Sequence, residues 1–440
     1  MNKIPRNCEK HLIALLSGDV ANTGAILVEG ARQVGKTTLA MAAIKATGRS
    51  CIPIDLEDNS LLRGRIDACD RFQDFEELLV DELGFRSGSG GVLFIDEAQE
   101  SRNLGRFVRY MKERWNGVQV LLTGSSLTRL FRGDTRYPVG RLTRMHLAPF
   151  DFGEFLVATG QEELGAVLHG ASREISQARH RRLLEQYDQF LTIGGMPGTV
   201  LVHASGGDYE RRSQELLADL NEDFRRLFGE ENLAIVTSCL RSVANFVGSP
   251  SKISTVLQDS GRTARRTAEE VFARLEQWAV VLKSEQRGPS PESAHAYHPK
   301  RYLFDTGLLR LLREAAVPRI SVLDTIDASQ RRPLGGILEN QVAIGLHHHQ
   351  GSLEGWKRSS SGSEMDFVSG GSNQRCPIEC KAALVVKLTH LKGLRAYLEH
   401  YGLSQGTVVS FAPYREYDID GRIIVNVPAY LLTQHLVKTS

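Results

Sequence analysis

The sequence predicts an α/β protein built on a parallel sheet, and two stretches near its start carry that prediction. Residues 30–37 read Gly-Ala-Arg-Gln-Val-Gly-Lys-Thr, and Val92-Leu-Phe-Ile95 runs into Asp96-Glu97. The first fits G-x-x-x-x-G-K-[ST], a loop whose backbone amides wrap nucleotide phosphates. The second is a continuous apolar strand, as expected in a sheet covered on both faces, and it ends in two carboxylates. A third stretch, Asp366 followed by Glu379-x-Lys381, adds a second α/β unit late in the chain.

At 440 residues the chain is too long for one ordinary core, so two to four domains are expected. With 41% apolar and 24% charged residues, it has the composition of a globular protein rather than a disordered one. The net charge of +2 means that any affinity for nucleic acid rests on local clusters. Arginines do cluster at 179–182, 211–212, 225–226, 262–266 and 331–332, and each cluster alone reads as a solvated helix face. The six cysteines show no paired C-x-x-C spacing, which points away from zinc and towards free thiols in a reducing compartment, the cytoplasm. No run of 18 apolar residues supports a membrane span.

The first domain, residues 1–155, is read as a P-loop domain. Ala25–Glu29 is a strand feeding the loop and Thr37–Lys45 is helix-forming, the flanks that the motif requires. Gly30, Ala31, Arg32, Gln33, Val34, Gly35, Lys36, Thr37 and Thr38 would enclose the phosphates of ATP. Lys36 would reach the β and γ groups, and the Thr37 hydroxyl would ligate Mg²⁺. Asp96 is expected as a water-mediated Mg²⁺ ligand and Glu97 as general base for the attacking water. Val118–Ser126 supplies another buried strand, with Ser125 or its neighbour Thr123 as the polar group that positions that water. Arg141 has three readings: a γ-phosphate sensor in cis, a contact across a homo-oligomer, or a surface residue.

Residues 156–235 read as a charged helical lid or connector, broken at Gly194–Pro197. Residues 236–330 contain a short helix over 249–261 with a glycine stop, a longer helix over 262–278, and a strand beginning near Val280. That is a helix-turn-helix with a wing, and Arg262, Arg265 and Arg266 lead its second helix. Phosphate contacts by these arginines would hold DNA, double-stranded or branched, without reading its sequence. The other reading is a protein–protein joint.

In residues 331–440, Glu379 and Lys381 lie two apart on a strand and share a face, with Cys380 opposite. Asp366 followed by Glu379-x-Lys381 resembles the PD-(D/E)XK nuclease core. The resemblance implies that Asp366 and Glu379 hold one Mg²⁺, that Lys381 sits beside the attacking water, and that Glu339 on the preceding helix adds an acid.

Beyond these local motifs, Phe94-Ile-Asp-Glu-Ala-Gln99, Leu121-Leu-Thr-Gly-Ser-Ser126, Val139-Gly-Arg141, Leu147–Phe155, Gly194-Gly-Met-Pro197 and Lys300–Leu308 give the chain a wider likeness. It resembles the prokaryotic AAA-like ATPases that carry a poorly characterised C-terminal region. The resemblance implies a P-loop sheet, a winged-helix-like middle and a C-terminal restriction-endonuclease-like α/β domain. Two functions follow as expectations: an ATP-driven, DNA-engaging protein of DNA processing or defence, or an ATP-controlled switch that binds a protein and cuts nothing. A small-molecule kinase is a third reading, and it leaves most of the chain unused.

Overall fold

The computed structural model describes residues 4–18, 24–125, 130–131, 140–170, 175–250, 253, 262–289, 297–359, 362–370 and 375–439, with backbone alone at 262–264 and 437–439. The chain divides into two compact units, Met1–Ala148 and Pro149–Ser440. The expected breaks at 235/236 and 330/331 therefore fall inside the second unit. Among the described residues no helix is long and apolar enough to cross a membrane.

The first unit is a five-stranded sheet of β1 (Ala25–Glu29), β2 (Cys51–Asp55), β3 (Val92–Asp96), β4 (Gln119–Gly124) and β5 (Leu142–His146), in the order β2-β3-β4-β1-β5. Every neighbouring pair is parallel. All residues of β3 and β4 are buried, as their unbroken apolar runs require. Because β4 lies between β1 and β3, it brings its carboxyl end between the phosphate loop and Asp96. One face is sealed by aromatic packing in which the Phe75 and Phe107 rings stack at 4.9 Å. Trp115 joins them and donates its indole N–H to Glu76 at 2.7 Å.

The second unit begins with helices, including Gln177–Ile193, Pro197–Ala204 and Tyr209–Phe228. The turn at 194–197 is fixed by Asp305, a buried carboxylate that accepts the N–H groups of Gly195 (2.7 Å) and Leu308 (2.8 Å). Gly194 has φ +85°, and a Cβ there would lie 2.5 Å from the Asp305 oxygens, so glycine is required. Thus the Gly-Gly-Met-Pro turn and the Asp-Thr-Gly segment are two halves of one contact.

Two sheets follow. β6 (Val281–Arg287), β7 (Lys300–Leu303), β8 (Leu353–Lys357) and β9 (Glu364–Met365) form one, in the order β7-β6-β8-β9. β10 (Phe367–Ser369), β11 (Cys376–Lys381), β12 (Gln405–Ser410), β13 (Arg415–Ile419) and β14 (Arg422–Pro428) form the other, in the order β10-β11-β12-β14-β13. The strand expected near Val280 pairs antiparallel with β7 and parallel with β8, so this sheet spans both sides of residue 330. Asp366 stands where the chain leaves β9 in one sheet and enters β10 in the other. The first helix of the expected helix-turn-helix lies almost wholly outside the described residues, whereas the second is helical over Arg262–Gln277.

Helix Ala328–Gln350 is started by a capping box between Asp327 and Gln330. Its Asn340 side chain accepts from Leu303 N–H and donates to Leu303 C=O, both at 2.8 Å, satisfying the free backbone edge of β7. This clamp sets Glu339 over Lys300 and Tyr302.

Candidate active site

The phosphate loop is shaped by contacts that leave little choice of residue. A Cβ on Gly30 would meet Leu147 O at 2.2 Å, and Gly35 has φ +94° immediately before the helix Lys36–Thr47. Lys36 is buried and donates to the carbonyls of Gly30 and Ala31, both at 3.2 Å, with Glu97 at 3.7 Å. Burial lowers its ammonium below the ordinary lysine range, while Glu97 and Asp96 pull it back. Asp96, at the end of β3, accepts the Thr37 hydroxyl at 2.6 Å on one oxygen and the Thr123 hydroxyl on the other. Loop, helix start and β3 are therefore linked through one carboxylate.

Glu97 holds a left-handed backbone, φ +48°, ψ 47°, unusual for a side chain of this size and a form of strain found at functional positions. Its carboxylate accepts the Gln99 amide and faces Lys36. At 14% side-chain exposure it remains open to water, where a general base has to be. Oxygen donors from Thr37 and Asp96 suit a hard divalent cation.

Two expectations change here. Thr123, not Ser125, makes the polar contact of β4 with the site, and it acts on Asp96 rather than beside Glu97; Ser125 follows the strand's last residue. Arg141 precedes β5 and accepts the Ala25 N–H on its carbonyl at 3.0 Å. Since β1 and β5 run parallel, Arg141 lies at the amino ends of the strands while the loop lies at the carboxyl ends. That separation, about 16 Å for five residues, removes the cis γ-phosphate role. Its guanidinium pairs with Glu113 at 2.9 Å.

In the second unit the structure gathers Glu339, Asp366, Glu379 and Lys381, together with two residues the sequence reading left out. Lys300 Nζ lies 3.0 Å from Glu339 Oε1 and 3.0 Å from Asp366 Oδ1. Tyr302 donates to the same Glu339 oxygen at 2.7 Å, and Cys380 N–H donates to Asp366 Oδ2 at 2.9 Å. Lys381 pairs with Glu379 Oε1, and Glu379 Oε2 is buried without a hydrogen-bond partner. Burial, then Asp366, pushes the carboxyls of Glu339 and Glu379 up to about 7 and about 8. Burial acts the same way on Asp366, but Lys300 and then Lys381 outweigh it and hold Asp366 below the usual range. Among the described residues, no three His, Cys, Asp or Glu side chains are arranged to hold a metal ion. Asp366 and Glu379, expected together on one Mg²⁺, are engaged by Lys300 with the Cys380 N–H and by Lys381 respectively.

Arg265 and Arg266 are exposed and paired with Glu269 and Glu270 one turn on, at 3.3 and 3.1 Å. The Arg262 side chain lies outside the described residues.

A family described as AAA domain matches residues 22–156. This stretch is similar to AAA domains and has a P-loop ATPase-like architecture. Two further families, described as domains of unknown function (DUF8612 and DUF4143), match residues 184–318 and 334–430. Among solved structures, the chain is similar to a Walker-type ATPase of Pyrococcus abyssi at 15% identity, covering 70% of this chain and 96% of that one, with a TM-score of 0.47. It is also similar to a mutant RuvB of Thermotoga maritima at 13% identity, covering 71% and 96%, with a TM-score of 0.34. A Thermotoga maritima RuvB described as a Holliday junction branch migration motor is similar at 15% identity, covering 71% and 96%, with a TM-score of 0.32. No curated protein sequence matches the chain.

Within the AAA-like domain, two residues escaped the sequence reading. Gln99 follows Glu97 by two positions, and that closeness was a usable signal. Arg6 donates to Val34 O at 2.9 Å and Ala148 O at 2.6 Å, bracing the phosphate loop from 28 residues away, with nothing local to announce it.

Proposed function

We propose that the chain is a Mg²⁺-dependent ATPase. The observation that carries this reading is the arrangement around Asp96: Thr37 and Thr123 on its two oxygens, with Lys36 and Glu97 alongside. Amides of the loop and the start of helix Lys36–Thr47 would hold the phosphates of ATP. Thr37 and Asp96 would hold Mg²⁺, which would supply charge neutralisation at the phosphates. Lys36 turns its ammonium from the loop carbonyls to the phosphate oxygens. Glu97, oriented by Gln99, takes a proton from the water that attacks the γ-phosphorus as ADP leaves. Phosphate release should be measured for wild type and K36A with Mg²⁺; equal turnover in the two would overturn the reading.

In its finer form, the chain engages double-stranded or branched DNA through Arg262, Arg265 and Arg266, and ATP hydrolysis is coupled to that contact. A homo-oligomer with Arg141 at a subunit contact belongs to the same reading. For the C-terminal cluster a second reading is favoured by a specific observation. Lys300 stands between Glu339 and Asp366, which supports a nuclease-like element that binds without cutting, as in an ATP-controlled switch. Linear, single-stranded and branched DNA incubated with the protein and Mg²⁺, with and without ATP, should remain intact while ATP turnover rises. Cleavage that disappears in D366A and K381A would overturn the non-cutting reading. ATP turnover indifferent to every DNA would instead favour a protein partner.

A further inference from the structure

Carboxylate clusters of the kind formed by Glu339, Asp366 and Glu379 are stabilised in folded chains by a cation, because buried like charges repel. Here the cation is covalently part of the chain. Lys300 and Tyr302 are two apart on β7, so both side chains project to the same face, towards helix Ala328–Gln350. The Lys300 side chain is 1% exposed, and its ammonium lies 3.0 Å from an oxygen of Glu339 and from an oxygen of Asp366, with Glu364 at 3.9 Å. Its three N–H bonds thus face three carboxylates.

Two of the cluster's oxygens accept other donors. Asp366 Oδ2 accepts the backbone N–H of Cys380, and Glu339 Oε1 accepts the Tyr302 hydroxyl as well as Lys300. Glu339 Oε2 faces Gly248, where a Cβ would lie 2.6 Å from it. Glu379 Oε2 alone is buried with no partner, which makes it the cluster's spare ligand oxygen. A Mg²⁺ or Mn²⁺ ion shared by Glu339 and Asp366 needs oxygens at about 2.0–2.1 Å in near-octahedral array. It would have to take the position of the Lys300 ammonium, and beside that ammonium it would meet like charge.

We infer that Lys300 is a built-in cation holding the place of a divalent metal, so that Glu339, Asp366 and Glu379 bind no Mg²⁺ or Mn²⁺ while it is present. Removing its ammonium leaves Glu339, Asp366 and Glu379, which are not arranged around an ion while Lys300 is present, free to close on a divalent cation. The inference deepens the non-cutting reading of the C-terminal unit, yet its test counts ions and needs neither DNA nor ATP. Cleavage of DNA and occupancy by Mn²⁺ can therefore fail separately.

The experiment titrates Mn²⁺ alone into the full chain without nucleotide and reads free Mn²⁺ by electron paramagnetic resonance. Wild type and E379Q are expected to bind Mn²⁺ identically, since the change removes one oxygen from a cluster that holds no ion. K300A is expected to bind one additional Mn²⁺ per chain, where wild type binds none at these residues. K300A combined with D366N should lose that ion. Mn²⁺ bound by wild type and lost in E379Q would overturn the inference, as would a folded K300A protein that gains none. Where K300A fails to fold by circular dichroism, the wild-type and E379Q titrations decide alone: equality upholds the built-in cation and a difference overturns it.

Discussion

Lys36 in the AAA-like domain and Lys300 in the second unit are both hidden from solvent, with side-chain exposures of 4% and 1%. Burial acts against the ammonium in each. Their proton affinities nevertheless move in opposite directions. Lys36 falls below the ordinary range, its burial only partly offset by Glu97 and Asp96. Lys300 rises well above it, because Glu339, Asp366 and Glu364 together outweigh burial. The direct contacts explain the contrast: neutral carbonyls hold Lys36, with a carboxylate at 3.7 Å, whereas two carboxylates hold Lys300 at 3.0 Å. A lysine that must hand its charge to an arriving phosphate is better kept by weak acceptors. One that neutralises a permanent cluster is better locked.

The sharpest way to break this contrast is to remove each ammonium and compare what is lost. K36A should lower ATP turnover by at least about 10²–10³-fold, as for loss of a preorganised charge on the transition state. Its urea unfolding midpoint should stay close to that of wild type. K300A should behave in reverse, losing about 3–5 kcal/mol in urea unfolding because two carboxylates are left buried without their counter-charge. Millimolar Mn²⁺ should recover part of that loss in K300A and none in wild type, since an ion bound only by the folded chain stabilises it. A K36A protein as unstable as K300A would erase the distinction between the two lysines.

The same contrast marks how far the sequence could be read. The phosphate loop was legible because its chemistry is local: Gly30 to Thr37 is one continuous turn, and Asp96 ends an apolar strand that announces itself. Lys300 was hidden because its partners are 39 and 66 residues away and the clamp that brings them together runs through Asn340. In the segment Lys-Arg-Tyr-Leu, a strand start with two basic residues reads as a solvated edge. The alternation carried a clue, since Lys300 shares its face with Tyr302. Arg141 was left with three readings for a related reason: Val-Gly-Arg lies close to a strand, but only the parallel register of β1 and β5 shows at which end. The interruption of the strand at Asp366, where it changes sheets, has no signature in its composition.

A smaller effect tests how Glu97 is held in the AAA-like domain. The Gln99 amide donates to Glu97, so under the proposed ATPase reading it would position the base without taking part in the reaction. Q99A should lower kcat by about tenfold, the lower end of what loss of an orienting partner costs, with KM for ATP unchanged. A rise in KM at constant kcat would instead assign Gln99 to nucleotide binding. A structural role alone would appear as a lower unfolding midpoint with kcat and KM intact.

The finest distinction concerns Glu379, the acid of the cluster that Lys300 does not touch. Burial and Asp366 raise its carboxyl from the ordinary glutamate value of 4.5 to about 8, with Lys381 opposing them. A group whose folded value is raised binds its proton more tightly in the folded chain than in the unfolded one. Its contribution to stability is therefore complete below about 4.5 and is lost as the pH rises through about 8. E379Q is neutral throughout, so it lacks that loss. The thermal midpoint of E379Q should match wild type near pH 5 and exceed it at pH 9 by at least about 2–4 °C, the shift expected for 1 kcal/mol in a unit of roughly this size. Glu339 titrates in both proteins and cancels from the difference. Asp366, held below its ordinary value, changes charge only under more acidic conditions. Equal midpoints at pH 9 would mean that Lys381 sustains the Glu379 charge as firmly as Lys300 sustains that of Asp366. The cluster would then hold two locked pairs in place of one locked pair and a spare acid, and Glu379 would no longer be the oxygen that a divalent ion recruits when Lys300 is removed.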